Sequence, residues 1–171
     1  MTDGAQSKTD RLTPEGGIPL IDVAGSAREC GLQLGYAWSD VLRAAANRGQ
    51  GARPWWERSS FAELVERYAP HLPRLLGGLA EGAGLAEGQV TGQTSLQCIG
   101  GCTSFALAPA VTLDGVAISG QTKDTGVARV FQYRVLRMRL TDGPSMLTLA
   151  YPGWLYAHGF LSRGFSVFRN S

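Results

Sequence analysis

Apolar and polar positions divide the chain into two textures. Residues 1–17 are polar and contain Gly and Ser, and predict a mobile leader. Ile18 to Val23 reads as a short strand. Ser26 with Glu29 three positions on forms a capping-box pattern. It opens a helix to about Arg48 whose Leu34, Trp38, Val41, Leu42 and Ala45 share one face. Gly31 and Gly35 interrupt that helix and predict a close neighbour there, because each costs about 1 kcal/mol against Ala. Residues 47–56 read as a loop. Ser60 and Glu63 repeat the capping pattern before Phe61, Leu64, Val65 and Tyr68. Pro70 and Pro73 restart the chain into Leu72, Leu75, Leu76 and Leu79, and a short helix is expected from Ala86 to Cys98.

After Cys98 the period changes from helical to alternating. The run from Ile99 to Ala108 leads into a strand, Asp114-Gly115 is a hairpin turn signal, and Val116 to Gly120 reads as the returning strand. Residues 127–140 put Phe131, Tyr133 and Val135 on one phase and Leu136, Met138 and Leu140 on the other, predicting a bulge at Val135–Leu136. Asp142-Gly143 is a turn, Ser145 to Tyr151 a strand, and Gly164 to Phe168 the start of another. Helices followed by an antiparallel sheet predict an α+β fold. A sheet made of residues 103–171 has a face to cover and unpaired edges, so a partial domain is expected.

Composition narrows the function classes. The 171 residues are 44% hydrophobic and 18% charged, enough for one folded domain. A net charge of +2 argues against an electrostatically driven nucleic-acid binder. No apolar run approaches the roughly 18 residues of a membrane span, and the leader lacks a signal-peptide core. Three cysteines make no disulfide framework. A cytoplasmic protein without membrane or nucleic-acid partners is expected.

Cys102 is the outstanding candidate for chemistry. It follows Gly100 and Gly101 and precedes Thr103 and Ser104, at the boundary of the two textures. Glycine allows close approach to the carbonyl before the thiol, and hydroxyls after it are donors to a developing oxyanion. A Cys after a Gly-Gly turn is also often just a small buried residue.

Four blocks sharpen the choice: GSARECGLQLG (25–35), YAPHLPRLLGGLAEGAGL (68–85), GCTSFAL (101–107) and LDGVAISGQTKD (113–124). In this order and spacing the chain resembles the front half of the acyl-coenzyme A:6-aminopenicillanate (isopenicillin N) acyltransferase family. Its members are N-terminal-nucleophile hydrolases, in a group with choloylglycine hydrolases, that cleave their own precursor before a cysteine. The resemblance implies part of a four-layer αββα sandwich, with residues 18–101 as the helical part and 102–171 as the start of the sheet. It implies Cys102 as nucleophile and Gly101–Cys102 as the scissile bond. It further implies Asp124 as the acid tied to processing, Thr103 and Ser104 as the hydroxyls after the nucleophile, and Gln121 and Thr122 as substrate-facing residues. The substrate implied is a small acylated amine, amide or peptide. No cofactor is implied, acyl-coenzyme A entering only as a substrate.

Departures from the family pattern fall at Thr122, where Asn is common, and at Lys123, where an aromatic is common. The family's oxyanion Asn would lie beyond residue 171. Family precursors are about twice this length, so the chain is expected to be a fragment, a truncated product or one piece of a split protein. A complementary C-terminal chain or a homo-oligomer is the implied protein partner. The rival expectation is a non-catalytic remnant, and a weaker one a small-molecule binding domain.

Other side chains carry weaker alternatives. Cys98 and Cys102 do not make a metal pair with only His71 and His158 available, and no metal is expected. Cys30 and Cys98 read as buried thiols. Ser104 with His158 is a weak triad candidate, His158 otherwise reading as a loop or sheet-edge residue. Arg134, Arg137 and Arg139 read as a solvated strand face or as phosphate ligands. Trp55 and Trp56 read as core anchors or pocket lining, and Trp154 and Tyr156 as packing at a strand end.

Overall fold

The computed structural model describes residues 17–47, 62–91, 101–124, 132–152 and 154–168. Strand β1 (Leu20–Gly25) leads into α1 (Ala27–Ala37) and α2 (Ser39–Ala46). Helices α3 (Ala62–Tyr68), α4 (His71–Ala83) and α5 (Glu87–Thr91) follow. Strands β2 (Cys102–Leu107), β3 (Ile118–Lys123), β4 (Arg134–Leu140), β5 (Ser145–Tyr151), β6 (Trp154–Leu161) and β7 (Phe165–Val167) complete the α+β order.

The capping box forms as its residues dictate. Glu29 N–H donates to Ser26 Oγ at 3.3 Å, and Ser26 N–H donates to Glu29 Oε2 at 2.8 Å. The expected single helix from Ala27 breaks at Trp38 (φ −112°, ψ 12°), and the break leaves Leu34, Trp38 and Leu42 all in the core. Glycines set how closely α1 meets α4. A Cβ at Gly31 would overlap the Leu75 carbonyl, one at Gly35 the Leu79 carbonyl, and one at Gly78 the Arg28 carbonyl. The two backbones touch, as the glycine spacing predicts.

The strands form two sheets. The larger has five strands in the order β1-β4-β5-β6-β7. It is mixed rather than antiparallel, because β1 runs parallel to β4 while the other neighbours are antiparallel. A strand from before Cys102 thus belongs to the sheet. No bulge occurs at Val135–Leu136, where pairing to β5 is continuous. The two apolar phases serve opposite faces instead. Leu136 and Met138 join Ile21 and Val23 in the core under α1, α2 and α4. The register shift falls in the β5–β6 pair, between Leu149 and Tyr151. Strand β6 lacks a clean alternation, and pattern alone does not find it.

On the other face, Asp22 sits between Arg137 and Arg139. Arg137 Nε donates to Asp22 Oδ2 at 3.0 Å, and Arg139 Nη1 lies 3.0 Å from Asp22 Oδ1. These two arginines therefore tie β1 to β4. The Arg137 bond does most to hold the Asp22 carboxyl below its usual range, burial opposing it and Arg139 adding to it.

Candidate active site

Strands β2 and β3 form their own two-stranded antiparallel sheet, and its register gathers the sequence candidates at one end. Cys102 pairs with Lys123, Thr103 with Thr122, and Ser104 with Gln121. Side chains alternate across a strand. Cys102, Ser104 and Gln121 therefore share one face, and Thr103 and Thr122 share the other. Thr122 Oγ1 accepts from Thr103 N–H at 3.3 Å and lies 3.4 Å from the Thr103 carbonyl oxygen. That hydroxyl braces the backbone beside Cys102.

The ladder extends one residue beyond its last strand pair. Asp124 N–H donates to the Gly101 carbonyl oxygen at 3.0 Å. A Cβ on residue 101 would lie 2.8 Å from Asp124 Oδ2. Glycine is thus what lets this carboxylate rest over the Gly101–Cys102 peptide. Cys102 is half-buried. Cys30 is fully buried, its Sγ 3.7 Å from the Gly25 carbonyl. Burial pushes its thiol up to about 11, which makes it a poor nucleophile near neutral pH. Cys98 and Gly100, like Trp55 and Trp56, lie outside the described residues.

The hairpin lies against the open face of the larger sheet. Ser119 Oγ and Ser166 Oγ share a 2.9 Å hydrogen bond joining β3 to β7. Beside this clasp is a cavity of about 250 Å³. Gly120 and Gln121 form its hairpin wall, and Leu147, Leu149, His158 and Phe160 its sheet wall. Phe168 closes against Phe160, rings edge-on at 5.9 Å. Gly120 also leaves room for the Phe105 ring, which a Cβ would meet at 2.8 Å.

Sequence reasoning missed this cavity because part of its sheet wall, His158 to Phe160, comes from β6 and because the hairpin wall depends on tertiary packing. His158 is in β6, flanked by β5 and β7, and not in a loop or at a sheet edge. Trp154 and Tyr156 lie in the same strand. Arg134 donates to the Tyr133 carbonyl at 2.9 Å, and Arg137 and Arg139 engage Asp22, as described above. His71 begins α4. Among the described residues, no three His, Cys, Asp or Glu side chains cluster as metal ligands would, and no helix is long and apolar enough to cross a membrane.

Fold and site together define an α+β protein with a half-buried cysteine at the end of a β-ladder whose other strand lines an apolar cavity. No family model matches the chain, and no curated protein matches it.

Proposed function

We propose that this chain is a cysteine hydrolase or acyltransferase of the N-terminal-nucleophile type, acting on amide bonds of small acylated amines or peptides after cleaving itself between Gly101 and Cys102. The single observation that carries this reading is the 3.0 Å hydrogen bond from Asp124 N–H to the Gly101 carbonyl oxygen. That carbonyl is the one a thiol at Cys102 would attack. A fixed donor on its oxygen withdraws electron density and stabilises the alkoxide of the tetrahedral intermediate.

The chemistry then balances as follows. Cys102 Sγ bonds to the Gly101 carbonyl carbon, and the bond from that carbon to the Cys102 nitrogen breaks. The thiol proton ends on the nitrogen, which becomes a free amine. Water hydrolyses the thioester, leaving a Gly101 carboxylate and restoring the thiol. The new α-amine, with an ordinary pKa near 8, is placed to take the thiol proton when a substrate amide is attacked. The acyl group passes to Cys102 and then to water or an amine. Asp124 holds the scissile carbonyl through its backbone, and its carboxylate accepts hydrogen bonds during the shift. The partial αββα sandwich belongs to the same proposal, supported by the helix layer on one face of the larger sheet and the hairpin on its other.

Intact-mass measurement of the expressed chain tests this reading. The expected result is two fragments, the second beginning at Cys102, and a single 18.2 kDa species for Cys102→Ala. Equal cleavage of both, or of neither, overturns it.

One observation favours a second reading, in which the chain is one subunit of a split enzyme. Phe105, Leu107 and Ile118 are about half-exposed on the hairpin face away from Cys102. Sedimentation as a monodisperse monomer would contradict that reading.

A further inference from the structure

Residues 101–124 stand apart from the core that holds the rest of the chain together. Leu136, Met138 and Ala150 of β4 and β5 join the helices in that core. Among the described residues of 101–124, none is buried and none belongs to it. Strands β2 and β3 pair with each other and with no strand of the larger sheet. The aromatic ring of this segment packs internally. Phe105 pairs with Gly120 and lies over it, where a Cβ would meet the ring at 2.8 Å. Phe105, Leu107 and Ile118 keep about half their surface in water. Apolar burial is the main force that holds an element in place, and a two-stranded hairpin on its own is at best marginally stable. The Ser119–Ser166 hydrogen bond ties β3 to β7 at 2.9 Å, but a bond between two neutral hydroxyls shifts an equilibrium only severalfold.

We propose that residues 101–124 open from the larger sheet as one cooperative unit while the core stays folded, with Ser166 as the latch that sets how often they do so. Segments with few buried apolar contacts open locally at a small fraction of the global unfolding free energy. Once detached, β2 and β3 unzip, because little but their own ladder holds them. The Asp124 N–H then leaves the Gly101 carbonyl oxygen, and Cys102 leaves the sheet face with it. The fold thus has a closed state in which that carbonyl is bonded and an open state in which it is free. The opening follows from packing alone. Its consequence, that the carbonyl is primed for attack only in the closed state, rests on the function proposed above.

Hydrogen–deuterium exchange of the Cys102→Ala chain, read by mass spectrometry on peptides, tests the opening without requiring cleavage. Peptides from 101–124 are expected to exchange roughly 100-fold faster than peptides from 134–151. Ser166→Ala is expected to speed exchange of 101–124 about fivefold and to leave 134–151 unchanged. The two serine side chains are near enough for the short span of a disulfide. An oxidised Ser119→Cys/Ser166→Cys chain is therefore expected to slow exchange of 101–124 at least about tenfold, and reduction to reverse it. Equal protection of the two regions, a Ser166→Ala effect shared by 134–151, or no effect from either latch variant would overturn the proposal. Should the bridge not form, Ser166→Ala decides alone. Fast, latch-dependent exchange in a chain whose Cys102 form never cleaves at Gly101–Cys102 would support the opening and contradict the proposed function, so the two failures are distinguishable.

Discussion

Gly101 and Asp124 divide one task between a missing side chain and a backbone amide. The carboxylate reaches the peptide because residue 101 has no Cβ, and the amide polarises the carbonyl because the ladder register brings it there. Substitutions separate the two contributions. Gly101→Ala pushes the carboxylate aside, and self-cleavage is expected to slow at least tenfold, as judged by fragment appearance on a gel over time. Asp124→Asn keeps the backbone donor, so its effect reads the carboxylate alone and should be the smaller of the two. An Asp124→Asn chain slower than Gly101→Ala would contradict this division. Cys30 supplies a prediction of opposite character. Its folded-state pKa is raised by burial from 9.0 to about 11. The stabilisation it contributes is complete below about pH 9 and lost as pH rises through 11. Melting temperature should therefore fall over that interval, and the fall should be shallower in Cys30→Ala.

Elements reveal how far pattern carries. That α1 has a close neighbour was legible because glycine in a helix has a cost that such a neighbour explains; that the neighbour is α4 was not. Gly31 and Gly78 each face a carbonyl of the other helix, whereas a Cβ at Gly77 meets nothing within 4 Å. Gly31→Ala and Gly78→Ala are expected to destabilise by about 3 kcal/mol each through overpacking. Gly77→Ala is expected to be neutral or stabilising, by about 0.5–1 kcal/mol. Urea denaturation of the three variants checks the contrast; equal effects at positions 77 and 78 would mean the helices are not in backbone contact. The capping box at Ser26 and a turn at Asp114-Gly115 were legible for a similar reason, since each is a local bond set by residues a few positions apart; the expected tight hairpin is not what forms, because a 3-10 turn at Pro109–Val111 lengthens the link and β3 starts at Ile118 rather than Val116. Asp114 Oδ1 accepts from Val116 N–H at 3.2 Å, and Gly115 takes φ 68°. Strand β1 was legible as a strand but not as a parallel partner of β4, because that pairing joins residues more than a hundred positions apart. Strand β6 was not legible at all. Its WLYAHGFL run is apolar on both phases, so alternation gives no signal, and the cavity it walls stayed hidden with it.

At the scale of the molecule, cleavage at residue 101 would part the chain without parting the fold. Strand β1 would belong to the first piece and β4 to the second, yet they pair over six residues. Asp22 reinforces that seam through Arg137 and Arg139. The two pieces are therefore expected to co-elute under native conditions and separate only in denaturant. Because the Asp22 pKa is lowered by its arginines, the seam's ionic contribution is present above the ordinary carboxylate range near pH 4 and lost as pH falls through the lowered value. Asp22→Asn should flatten the acid limb of stability and weaken association of the pieces at neutral pH. The candidate residues at the seam's other side were legible one by one in the sequence. Their convergence was not, because it depends on the β2–β3 register. The most direct test of the central claim is hydroxylamine trapping of the thioester during self-cleavage, read by mass spectrometry. The account predicts a first fragment ending in a hydroxamate at Gly101, absent from Cys102→Ala. Cleavage that leaves only a Gly101 carboxylate at saturating hydroxylamine, or a chain that stays whole, would contradict it.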